Sequence, residues 1–228
     1  MAQFISSILL AGGCGSRFGG TIPKQFISLG KKLVVHHSLE LLLSCEQIQE
    51  VVIVVTNGFQ EYFSAYTSPK IRFAPSGATR QESVYQGFLR VCPDAEYVCI
   101  HDGARPLVTR KELLLVIEDG IQYQAAALGV PAKNTMKKTN ALGFVEETLS
   151  RECLYEMHTP QVLSTKMLWK GLSLAEQTGV VVTDDISLAE LAGCRAKVTL
   201  SSYRNIKITT PEDLIIAKAL MENTHAEI

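Results

Sequence analysis

Apolar and polar positions along the chain alternate between two periods. Short β-branched runs read as strands: Phe4 to Leu10, Val51 to Thr56, Tyr97 to His101 and Ala126 to Val130. VVIVVT, closed by Asn57-Gly58, is apolar throughout and reads as a strand buried on both faces. Between these runs, Leu33 to Ser44, Thr79 to Arg90 and Arg110 to Gln122 carry apolar residues at helical spacing. A further strand is predicted within Asn205 to Pro211, followed by a terminal helix from Pro211 to Met221. Pro211 suits a helix start because it lacks an N–H that would be unpaired there. Glu212 and Asp213 then face the positive end of the helix dipole. Strands separated by helices imply βαβ crossovers, hence an α/β fold with a mainly parallel sheet covered on both faces. In such sheets ligands sit beyond the carboxyl ends of the strands, so the loops after strands hold the candidate chemistry.

One segment breaks the alternation. Lys133 to Arg151 is polar, with a turn candidate at Thr139-Asn140 and an alternating run at Phe144, Val145, Glu146 and Glu147. It predicts a hairpin projecting from the sheet, either reaching a partner subunit or forming a plain surface loop. With no internal repeat, low-complexity tract or linker, residues 1–228 read as a single domain carrying this excursion.

Composition narrows the functional classes. A chain of 228 residues with 46% hydrophobic content can bury a sizeable core, which excludes disorder. Its 22 basic and 23 acidic side chains leave a net charge of −1. That argues against a nucleic-acid polymer as partner, which needs a net basic surface, and still permits a small anionic ligand. The six cysteines form no C-x-x-C pair, which disfavours zinc ribbons and thioredoxin-like sites. Reduced thiols and a cytoplasmic location are expected. The apolar start MAQFISSILLAGGCGS lacks a positive n-region and is too short for a signal sequence. No run approaches the roughly 20 apolar residues that span a bilayer, so no membrane partner is expected.

The first strand runs directly into LLAGGCGSRFGGTIPKQF, with Gly12, Gly13, Gly15, Gly19 and Gly20. Glycines after a strand let main-chain N–H groups approach an anion, phosphate being the usual one. The dinucleotide fingerprint G-x-G-x-x-G fails because Phe18 follows Gly15-x-x. The Walker pattern fails as well, since Thr21 and Ile22 replace its Lys-Ser/Thr. What remains is a glycine turn followed by Arg17 and, after Pro23, by Lys24: two cations suited to a polyphosphate whose charge shifts during reaction.

L-A-G-G-x-G-S-R followed by P-K resembles the signature of nucleotidyltransferases that join a nucleoside triphosphate to a sugar or polyol phosphate. Later motifs follow in order: Ser76 to Val84 (SGATRQESV), His101 to Pro106 (HDGARP), Asn134 to Lys137, Thr159-Pro160-Gln161, Thr183-Asp184-Asp185 and Asn205 to Asp213. Together they resemble the 2-C-methyl-D-erythritol 4-phosphate cytidylyltransferases, from about residue 5 to about residue 220. The ribitol-5-phosphate cytidylyltransferases share the first loop, Thr-Pro-Gln and the Lys-Ile-Thr-Thr-Pro-Glu-Asp tail. Asn134-Thr135-Met136-Lys137, and Arg151 followed by Leu154-Tyr155, favour the erythritol family. A non-catalytic nucleotide-binding module on the same fold would be expected to lose Arg17, Lys24 or Asp102, and all three are present.

The resemblance implies a Rossmann-like three-layer fold with a mixed, twisted sheet and a β-hairpin arm at about Lys133 to His158. It implies transfer of a cytidylyl group from CTP to a polyol phosphate, with Mg²⁺ on Asp102, and a homodimer embracing through the arm. Arg17, Lys24, Arg151 and Lys207 are the catalytic residues it implies. Leu10, Ala11, Gly12, Gly13, Gly15, Ser16, Arg17, Lys24, Gly77, Ser83, Asp102 and Gly103 would bind the nucleotide. Asp102, Arg105, Thr135, Arg151, Thr159, Thr183 and Lys207 would bind the acceptor, with Thr135, Arg151 and Thr159 able to serve the partner's site. By their own chemistry Asp184 and Asp185 read first as caps of the following helix, and His101 as a packed strand residue.

Overall fold

The computed structural model describes residues 3–13 and 22–223. Strand β1 (Ile5–Leu10) is followed by a small antiparallel pair, β2 (Ser28–Leu29) and β3 (Lys32–Leu33), then α1 (Val34–Ser44) and β4 (Ile48–Val55). Next come β5 (Ile71–Pro75), α2 (Arg80–Phe88), β6 (Tyr97–Asp102), α3 (Arg110–Tyr123) and β7 (Ala125–Pro131). The hairpin β8 (Met136–Thr139) and β9 (Val145–Leu149) leads to β10 (Tyr155–Ser164). The chain closes with α4 (Thr165–Thr178), α5 (Ile186–Leu191), β11 (Lys197–Leu200) and α6 (Pro211–Glu222).

Seven strands form one sheet in the order β11-β7-β10-β6-β1-β4-β5. β1 pairs in parallel with β4 and β6, β4 with β5, and β7 with β11. Among the described residues β10 alone runs antiparallel in this sheet, between β6 and β7, which makes the sheet mixed. Successive strand residues point to opposite faces, so each strand feeds two cores. Leu9, Val51, Ile53 and Cys99 pack on one face with Val35, Leu39, Leu113 and Ile117 of α1 and α3. Ile8, Val52, Val54 and Ile100 pack on the other with Val84, Leu168, Leu172 and Leu188 of α2, α4 and α5. The result is the expected three-layer α/β fold.

The helices begin as local chemistry dictates. Thr109 and Glu112 close a capping box on α3, and Thr210 and Asp213 close one on α6, whose first residue is Pro211. The hairpin stands out as expected, its strands within the anticipated arm, and Leu142 and Phe144 are 82% and 68% exposed at its tip. Asn140 builds the turn by accepting from the N–H groups of Leu142 and Phe144.

Two expectations are corrected. No strand forms over 205–210, where Ile208 makes one main-chain bond to Ala104 and the sheet edge belongs to β11. The apolar residues of that segment, Ile206 and Ile208, instead join Leu29, Val34 and Ala217 in a small separate cluster. Asp184 caps α5 by accepting from the N–H of Ser187, but Asp185 makes no side-chain cap. Its carboxylate is buried and taken by Arg80.

Candidate active site

The carboxyl ends of β1, β4, β5 and β6 surround a cleft of about 440 Å³, a size that suits a nucleotide-sized ligand. Leu10, Gly12 and Gly13 line it from the end of β1, Thr56 from the end of β4, and Ser76, Gly77 and Ala78 from the end of β5. Asp102 and Ala104 contribute from β6, Arg80 and Ser83 from α2, and Lys24 and Gln25 from a short 3-10 turn. Lys207 and Thr209 reach in from the segment before α6. The cleft therefore gathers Lys24, Asp102 and Lys207 with Gly12 and Gly13. Gly15, Ser16, Arg17 and Cys14 lie outside the described residues.

Asp102 is the electrostatic centre. It ends an apolar strand and is buried, with Lys207 Nζ 2.6 Å from its Oδ2 and Arg80 Nε 3.2 Å from its Oδ1. Burial alone would push this carboxyl up. Arg80 and Lys207 outweigh it and hold Asp102 well below the usual carboxylate range. Arg80 in turn forks onto Asp185 at 2.8 and 2.7 Å, so one guanidinium bridges two buried carboxylates.

Behind Asp102 lies a neutral relay. His101 Nε2 is 3.2 Å from the carbonyl oxygen of Arg105, which can only accept, so Nε2 carries the ring hydrogen. Nδ1 must then accept, and the Thr159 hydroxyl donates to it across 3.0 Å. The same hydroxyl oxygen accepts from the main-chain N–H of Asp102 at 3.0 Å. Burial pushes the imidazole down to about 4, which keeps it uncharged near neutrality. His101 is thus the packed strand residue the sequence indicated, and Thr159 is committed to it rather than open to the cleft.

The remaining expected residues fall in three places. Ala11 and Gly103 are buried and do not line the cleft: the N–H of Gly103 donates to the Leu10 carbonyl across 2.9 Å, and a Cβ there would stand 2.9 Å from that oxygen. Arg105 is buried beneath, donating to the carbonyls of Asn205 at 2.7 Å and Met157 at 3.4 Å. Thr183 lines a second cavity of about 320 Å³ beside Asp184, Ile186 and Lys197. Thr135 and Arg151 are exposed at the base of the arm, where Arg151 donates to the Lys133 carbonyl at 2.7 Å. This chain does not bring them to its own cleft.

Ser83 and Gly77 meet as a unit, since the Gly77 N–H donates to Ser83 Oγ at 3.0 Å and leaves the hydroxyl hydrogen to donate elsewhere. Sequence reasoning gave no role to Gln25, Thr56, Arg80 or Gln161. Arg80 did carry a signal: a cation in the first turn of a helix opposes the dipole and calls for a carboxylate partner elsewhere. Gln161 accepts from the N–H groups of Asp185 and Ile186, doing the capping that Asp185 does not.

Among the described residues no group of three or more His, Cys, Asp or Glu could hold a metal ion. Asp102 is the one carboxylate among the described residues lining the cleft. A single hard carboxylate fits Mg²⁺ where nucleotide phosphates and water fill the other positions. Among the described residues no helix is long and apolar enough to cross a membrane.

Residues 5–223 match the family model described as 2-C-methyl-D-erythritol 4-phosphate cytidylyltransferase. The chloroplastic protein of that name from Oryza sativa subsp. japonica is 41% identical over 220 residues, covering 95% of this chain and 74% of the relative. Its namesake from Chlamydia pneumoniae is 40% identical over 216 residues, 95% of this chain and 98% of the relative. The crystal structure of 4-diphosphocytidyl-2C-methyl-D-erythritol synthase from Anaerococcus prevotii superposes with a TM-score of 0.87 at 27% identity, covering 97% of both chains. The chain belongs to the 2-C-methyl-D-erythritol 4-phosphate cytidylyltransferase family.

Proposed function

We infer that this chain transfers the cytidylyl group of CTP to 2-C-methyl-D-erythritol 4-phosphate. The products are 4-diphosphocytidyl-2-C-methyl-D-erythritol and pyrophosphate, in non-mevalonate isoprenoid precursor synthesis. The observation that carries this reading is the match to that family over residues 5–223. The cleft supports it, since Lys24, Asp102 and Lys207 line it together with Gly12 and Gly13.

In the reaction an oxygen of the acceptor phosphate attacks the α-phosphorus of CTP, and the bond to the bridging oxygen of the β-phosphate breaks. The nucleophile is already an anion, so neither an activated Ser or Cys nor a general base is required. Catalysis then consists of positioning two anions and neutralising charge at the α-phosphate. Lys24 and Arg17 stabilise that charge, Arg17 resting on the family resemblance alone. Lys207, beside Asp102, orients the acceptor phosphate. Arg151 and Thr135 act on the acceptor as well, from the partner's arm. Thr159 acts by holding the main chain of Asp102. Asp102 would hold Mg²⁺, which when bound neutralises triphosphate charge.

The exposed apolar tip of the arm supports a homodimer, and the free thiols of Cys45, Cys99 and Cys153 accord with a cytoplasmic setting. A pyrophosphate-release assay pairs CTP, UTP and ATP with methylerythritol phosphate and ribitol phosphate. Release with CTP and methylerythritol phosphate is expected. Release only with ribitol phosphate overturns the acceptor, and none with any pair overturns the enzyme reading.

A further inference from the structure

The three carbonyls of Ala11, Gly12 and Gly13 are all taken by side chains from outside the loop. Gln25 Nε2 donates to Ala11 O at 2.7 Å and to Gly13 O at 2.8 Å, using both amide hydrogens on carbonyls either side of Gly12. Thr56 Oγ1 donates to Gly12 O between them at 3.0 Å, and its oxygen lies 2.9 Å from Ser76 Oγ. Gln25 is only 3% exposed, so its carboxamide is fixed by the surrounding protein and not by solvent. Ala11 is tied on its other side too, its N–H donating to Val54 at 2.8 Å. Gly12 has no room for a side chain, since a Cβ would stand 2.3 Å from that of Ser76.

Glycines free the backbone, and freedom costs ordering entropy when a ligand must be met by one conformation. With their three carbonyls committed, Ala11, Gly12 and Gly13 have settled that conformation beforehand. With the Ala11 N–H also engaged, the main-chain polarity this stretch keeps for a ligand is the amide hydrogens of Gly12 and Gly13, which suit the anionic or acceptor groups of a nucleotide. We propose that Gln25 and Thr56 are positioning residues that preorganise the main chain of Ala11, Gly12 and Gly13, so that they set nucleotide affinity without touching the reacting atoms. This rests on the reading of the cleft as a CTP site.

The test measures CTP affinity by calorimetry, and KM for each substrate with kcat, for wild type, Q25E, T56V and T56S. Q25E is isosteric but turns an oxygen toward two carbonyl oxygens, and T56V removes the hydroxyl while keeping the shape. Losing hydrogen bonds of this kind costs about tenfold in affinity per bond. Q25E is therefore expected to weaken CTP binding by about 10- to 100-fold and T56V by about tenfold. T56S recovers most of the loss, while kcat and KM for the acceptor stay within about threefold. T56V carries the test alone if Q25E fails to fold. Unchanged CTP affinity in the folded variants overturns the proposal, as does an equal loss in kcat and acceptor KM. Wild type that binds CTP but transfers nothing overturns the enzyme reading instead, and leaves the calorimetric comparison to judge the loop.

Discussion

Arg80 and Asp185, 105 positions apart in sequence, form a two-pronged ion pair at 2.8 and 2.7 Å that ties the start of α2 to the start of α5. The Asp185 side chain is 2% exposed and that of Arg80 28%. Removing one partner of such a pair leaves the other charge without compensation, at a cost of about 3–5 kcal/mol when fully buried. Arg80 keeps some water and its bond to Asp102, so Asp185→Ala is expected at about 2–3 kcal/mol. At this chain length that lowers Tm by about 5–10 °C, measurable by calorimetry. An unchanged Tm would show that solvent replaces Asp185 without cost.

Lys207 is the cation nearest Asp102, and it lines the cleft. Lys207→Gln keeps much of the length and removes the charge. Catalytic efficiency toward the acceptor should fall about 100-fold, the scale of losing one preorganised electrostatic contact. KM for CTP should move less than about threefold. Steady-state kinetics with each substrate varied in turn checks the split. A loss confined to KM for CTP would move Lys207 to the nucleotide side.

His101 makes stability depend on pH. Its folded value, about 4, lies below the ordinary 6.5, so between those values the unfolded chain binds a proton that the folded chain does not. Stability is fully present above the unfolded value and is lost as pH falls toward 4. The contribution amounts to about 3 kcal/mol, and His158, likewise pushed down to about 4, adds in the same direction. Denaturant unfolding from pH 7 to 5 should show falling stability. His101→Gln should reduce the slope by about one proton, and an unaltered slope would contradict the buried, neutral imidazole.

The arm offers Leu142 and Phe144 to solvent in the isolated chain. With Asp at both positions, self-association should weaken at least tenfold while Tm at high dilution changes by less than about 2 °C. Exposed positions contribute little to the fold of one chain. Sedimentation over a dilution series reads the first quantity. Equal dimerisation of both proteins would place the interface elsewhere.

The three-layer fold was legible because burial on both faces of a central sheet leaves a pattern that periodicity reads directly, as in VVIVVT. β10 was hidden because it is antiparallel and begins on the exposed arm. It also carries Thr159, Pro160 and Gln161 among its buried positions, so neither alternation nor a continuous apolar run marks it. The segment around Ile206 and Ile208 misled for the opposite reason, having strand-like residues that pack on α6 rather than a sheet edge. At the site, Lys24 and Asp102 stand in motifs at or after strands and Lys207 in the Asn205 to Asp213 motif, so all three could be found. Gln25 and Arg80 act through bonds to distant partners, 14 and 105 positions away; the first-turn position of Arg80 signals that a carboxylate partner is needed but no local pattern names it.

Phosphorus NMR of the purified protein with CTP, methylerythritol phosphate and Mg²⁺ follows the transfer itself. Coupled doublets of a new diphosphate diester should grow in step with pyrophosphate, while the triphosphate and monoester signals decline together. Persistence of both substrate signals, with nucleotide bound by the protein, would contradict it.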